Sequence, residues 1–88
     1  MITIEKINET TFNVTVKQSS ETTHQVTINS AYYKKLTGGK VSPEQLLEKS
    51  FEFLLQRESN TSILRSFDLP VIGHYFPDYE SQIQKMLK

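Results

Sequence analysis

Over the first thirty residues apolar and polar positions alternate with a period of two, the mark of strands buried on one face. Ile2 and Ile4 share one face of a first strand. Phe12, Val14 and Val16 share one face of a second, with Thr11, Asn13, Thr15 and Lys17 opposite; Val26 and Ile28 define a third, with Gln25, Thr27 and Asn29 turned the other way. The polar links between them, Asn8 to Thr10 and Gln18 to Glu21, are too short for parallel crossovers, so an antiparallel meander is expected.

The pattern changes after residue 30. Ser30 can cap a short helix over Ala31 to Leu36, and Gly38 supplies the left-handed residue that stops it. Ser42-Pro43-Glu44-Gln45 then combines an N-cap hydroxyl, proline at the first helical position and a Gln that completes a capping box. The helix it opens should run from Pro43 to about Glu58. At about 100° per residue, Leu46, Leu47, Phe51, Phe53, Leu54 and Leu55 span an arc of about 200°, twice what one contact surface needs. Such a helix needs cover on two sides: the sheet on one, and the C-terminal segment or a second subunit on the other.

Beyond Asn60, Ser62 to Phe67 reads as one or two helical turns and Val71 to Phe76 as an apolar connector. Pro77-Asp78-Tyr79-Glu80 starts a last helix, whose Tyr79, Ile83, Met86 and Leu87 share a face. The expected fold class is therefore α+β: a three-stranded antiparallel β-meander (1–30) packed on one long helix plus short C-terminal helices (31–88), in a single domain. The rings of Phe67, Tyr75, Phe76 and Tyr79 are expected to cover the second side of the long helix, with tyrosine hydroxyls at its wet edge.

Composition narrows the function more than it defines it. Eighty-eight residues, 36% of them hydrophobic and with zero net charge, describe a chain that folds. Ten basic against ten acidic residues, with only two arginines, argue against a nucleic-acid partner. The absence of cysteine removes disulfides, thiolate metal sites and a cysteine nucleophile. Met1 to Lys6 lacks the basic and apolar regions of a secretory signal, and no apolar run is long enough to span a bilayer. A cytoplasmic location with no membrane partner is the expectation.

Candidate chemistry is sparse. His24 is in register with Val26 and Ile28 and reads as a partly buried strand-end histidine. His74 has Asp68 and Asp78 nearby and Ser66 within reach in sequence, enough to imagine a small enzyme. Pro77, however, prevents His74 and Asp78 from sharing a helix face. Gly38-Gly39-Lys40 follows a helix rather than a strand and reads as a helix stop, not a phosphate loop. No catalytic, cofactor-binding or metal-binding residue is assigned, and no cofactor is expected. The leading reading is a non-catalytic interaction or structural domain, dimeric, with Leu46, Phe53, His74 and Tyr75 as candidate partner-binding residues and a further protein partner allowed.

Two resemblances add to this. Val26-Thr27-Ile28, Ala31 to Leu36 and Ser42-Pro43-Glu44-Gln45-Leu46-Leu47 together resemble the strand and two helices of a ribbon–helix–helix DNA-binding unit. That resemblance implies a dimeric transcriptional regulator or antitoxin whose Gln25, Thr27 and Asn29 read base edges. A longer run, from Leu36-Thr37-Gly38-Gly39 through Ser62-Ile63-Leu64-Arg65-Ser66-Phe67 to Val71-Ile72-Gly73-His74-Tyr75-Phe76-Pro77-Asp78-Tyr79-Glu80, resembles a small conserved bacterial protein family of unassigned function. It implies a compact cytoplasmic domain and transfers no catalytic residue.

Overall fold

The computed structural model describes residues 1–87. Three strands follow the alternation: β1 (Ile2–Lys6), β2 (Thr11–Lys17) and β3 (Glu21–Thr27), joined as antiparallel neighbours. Val14 faces Ile4 on one side and His24 on the other, which places every apolar position of the meander on one face of the sheet. The β1–β2 turn is fixed by Asn8, whose Oδ1 accepts from the backbone N–H groups of Thr10 and Thr11, both at 2.9 Å.

Helix α1 (Ser30–Thr37) is capped one residue earlier than expected: Asn29, not Ser30, accepts from the Tyr32 N–H, at 2.7 Å. Gly38, at φ 65°, ends it. Helix α2 (Pro43–Leu55) starts as the capping residues dictate, with Ser42 Oγ accepting from the Gln45 N–H at 3.1 Å. It stops at Leu55, short of Glu58. The last turn tightens, with Arg57 N–H donating to the Leu54 carbonyl at 2.9 Å, and the Arg57 guanidinium takes up the Phe53 carbonyl at 3.2 Å.

The chain beyond α2 overturns the expected three-stranded meander on one long helix. After a 3-10 turn (Asn60–Ser62), residues expected to be helical form a strand, β4 (Ser66–Asp68), parallel to β3 with Val26 opposite Phe67. Gln25 N–H donates to the Arg65 carbonyl at 2.7 Å, and Leu69 N–H to the Thr27 carbonyl at 2.9 Å. The sheet is four-stranded and mixed, in the order β1-β2-β3-β4. The crossover from β3 to β4 carries both α1 and α2, as a parallel connection requires. The apolar connector is helix α3 (Val71–Tyr75), and the final helix is α4 (Tyr79–Met86). The fold remains α+β, with four α-helices among the described residues, none of them very long, beside the sheet.

Helix α2 is closed on both flanks within the chain. Phe51 packs on His24 and Phe67 of the sheet, at ring-centroid distances of 5.4 and 6.2 Å. Phe53 packs edge-on against Phe76 and Tyr79, at 5.9 and 5.3 Å, and the Arg57 guanidinium lies over its other face at 3.6 Å. Leu46 and Phe53 are 0% and 1% exposed. The Tyr79 hydroxyl is not at a wet edge: it is buried and 2.6 Å from Ser50 Oγ. Because Ser50 donates to the Leu46 carbonyl at 2.7 Å, the Tyr79 hydroxyl must be the donor of this pair. Among the described residues, no helix is long and apolar enough to cross a membrane.

Candidate functional site

Most of the apolar surface of the chain is spent on the core, which makes the exceptions informative. Among the large hydrophobics still exposed, Leu64 (47%) and Tyr75 (64%) lie on the rim of one groove of about 320 Å³. Leu54 from the end of α2, Phe67 from β4, and Val71, Ile72 and Phe76 from α3 and its end also line it. Glu58, half-buried, is the one charged side chain in the lining. No cation pairs with it among the described residues.

A buried polar network holds the rim in place. His24, 1% exposed, has Nδ1 2.7 Å from the Leu64 carbonyl and Nε2 2.9 Å from the Thr22 hydroxyl. A carbonyl only accepts, so Nδ1 carries the proton that binds Leu64, while Nε2 shares a hydrogen bond with the Thr22 hydroxyl. Thr22 Oγ1 in turn accepts from Asn60 Nδ2 at 3.0 Å, and Asn60 also donates to the Ser20 carbonyl at 2.9 Å. The chain from Asn60 to Leu64 is thus tied to β3 by side chains, and the Leu64 side chain projects outward at the groove.

The candidate residues named from the sequence separate cleanly. Tyr75 is on the groove rim. His74 is exposed beside it, its ring edge-on to Tyr75 at 6.0 Å, with no hydrogen-bond partner among the described residues. Leu46 and Phe53 are buried inside the protomer and offer no surface to a partner. Gln25 and Thr27 face outward from the sheet, but β3 is paired on both edges, by β2 and β4, and has no free edge for a second copy's strand. The Asn29 side chain is committed to capping α1. Glu58 and Leu64 were not singled out by the sequence, and Phe67 only as a ring covering the long helix; no local pattern marks them as groove residues, because the groove exists only once β4 is docked.

A second, larger depression of about 600 Å³ lies between the end of α1 and α4, rimmed by Lys40, Gln84 and Lys85. Its mouth carries long hydrated side chains and no exposed large hydrophobic residue. Among the described residues no cluster of three or more His, Asp or Glu is placed to hold a metal ion. No protein-family model, curated protein or solved structure matches the chain.

Two tyrosine hydroxyls are shifted strongly. Burial pushes Tyr79 far above its ordinary value. Tyr32 is raised too, by burial first and then by its hydrogen bond to Glu80, at 2.9 Å. Both belong to the packing of α4 rather than to the groove.

Proposed function

We propose that this is a non-catalytic interaction domain of the cytoplasm, working as a homodimer. Its groove receives a partner polypeptide that presents a large apolar side chain next to a cation. The observation that carries the reading is the juxtaposition of two exposed apolar residues, Leu64 and Tyr75, with a half-buried carboxylate, Glu58, that has no cation of its own among the described residues. An apolar groove with one oriented charged group is the usual form of a recognition pocket, its area supplying affinity and its charge selecting the ligand.

Phenethylamine tests this directly, since it joins one aromatic ring to one ammonium. Followed by amide chemical shifts, it is expected to bind with Kd on the order of millimolar and to perturb residues 58, 63–67 and 71–76. Glu58→Gln should weaken it several-fold while leaving 2-phenylethanol, the neutral analogue, unaffected. Saturable shifts confined to other surfaces, or none at all, would refute the groove as the binding site.

A further inference from the structure

We propose that two copies of this domain join through β1, edge to edge and antiparallel, with Ile4 on the two-fold axis. The inference rests on the homodimeric reading and adds its surface and register. Lys17 N–H donates to the Met1 carbonyl and Ile7 N–H to the Thr11 carbonyl, both at 2.9 Å. In an antiparallel ladder such bonds alternate, so the odd-numbered residues of β1 face β2. Ile2, Ile4 and Lys6 therefore aim their N–H and C=O groups away from the sheet, a row of six backbone groups on an edge strand. The opposite edge is blunted: β4 has three residues and runs directly into Leu69, Pro70 and α3.

Two-fold symmetry restricts the pairing, because directly opposed residues point to the same face and the axis must pass between a residue and its own copy. With Thr3 on the axis, Ile2 and Ile4 pair and the backbone groups of Lys6 are left over. With Glu5 on the axis, two carboxylates stand opposite each other, which is destabilising. With Ile4 on the axis, Ile4 pairs with the partner's Ile4 and Ile2 with the partner's Lys6, and all six groups on each edge are bonded. No like charges are then directly opposed: Glu5 meets the partner's Thr3, and the aliphatic stem of Lys6 lies along the partner's Ile2. The half-buried Ile2 and Ile4 side chains, already packed against the core of their own protomer, would extend that core across the seam. The product is a continuous eight-stranded sheet with all helices on one side.

The chain has no cysteine, so introduced thiols report this register cleanly. In the double variant Thr3→Cys/Glu5→Cys, each thiol directly faces the partner's other thiol across a non-hydrogen-bonded pair, within reach of a disulfide. In the single variants the thiols meet only diagonally. Under mild oxidation the double variant should form covalent dimer at least tenfold faster than either single one. Ile4→Pro removes an outward N–H and no bond to β2, so it should fold and weaken association at least tenfold by sedimentation at several hundred micromolar; Ile4→Lys serves if the proline variant does not fold. A wild-type monomer at that concentration overturns both the seam and the dimer. A wild-type dimer whose double-cysteine variant cross-links no faster than the single ones, and which survives the Ile4 substitution, overturns the seam alone.

Discussion

Against the sheet, α2 lays Phe51 on His24 and Phe67; against the C-terminal segment it lays Phe53 on Phe76 and Tyr79, with Arg57 across its outer face. The first flank is packed on a surface the strands already present. The second is assembled from two short helices, α3 and α4, and the link between them, and specific polar contacts locate them. Tyr79 donates to Ser50, Tyr32 donates to Glu80, and Arg57 reaches Asp78 at 3.0 Å. Bulk apolar burial closes a sheet-facing flank, whereas short helices are placed by a few directional bonds.

The largest effects should come from removing either ring at the centre. Phe51→Ala and Phe53→Ala should each cost about 3–5 kcal/mol in urea unfolding, enough to threaten folding of a domain this small. The two would separate under conservative change: Phe51→Leu should be milder than Phe53→Leu, because the latter also forfeits the guanidinium stacking of Arg57. Equal losses would show that the Arg57 contact adds nothing.

Next in size is the network behind the groove. His24→Phe keeps a ring against Phe51 but leaves the Leu64 carbonyl and Thr22 without their partner, a cost of about 1–3 kcal/mol. Amide exchange over residues 63–66 should accelerate more than over β2, and uniform acceleration would mean that His24 does not hold the rim.

Smaller still is the buried hydroxyl. Tyr79→Phe should cost about 1 kcal/mol at neutral pH and couple to Ser50→Ala in a double-mutant cycle. It also has a pH signature. Tyr79 is raised by burial, so the folded state holds its proton where the unfolded chain, at about 10, releases it. Stability is therefore intact below about pH 10 and falls as pH rises beyond it. Urea midpoints between pH 8 and 11 should fall less steeply in Tyr79→Phe than in the wild type; parallel slopes would contradict the burial argument. Smallest is Glu58→Gln, which should change stability by no more than about 0.5 kcal/mol while altering phenethylamine binding.

Much of the scaffold was legible because its signals are local. Phe12-x-Val14-x-Val16 specifies a strand and its inward face, and Ser42-Pro43 specifies the start of α2 to the residue. The 200° apolar arc correctly demanded cover on two sides. β4 was illegible because three residues contain barely one period of alternation, and Phe67 becomes a sheet residue only through Val26, forty-one positions earlier. Tyr75 was among the residues singled out, but nothing local distinguishes it from Phe76, which turns inward onto Phe53. Nothing local marks Asn60, because its three acceptors come from β2, the β2–β3 turn and β3.

The parallel pairing of β3 with β4 also fixes an order of assembly. During synthesis the meander has all three of its strands by Thr27, whereas β4 emerges from the ribosome only after both crossover helices, and α3 later still. The groove lined by α2, β4 and α3 thus takes shape after the meander, and a chain that has emerged only as far as α2 lacks it.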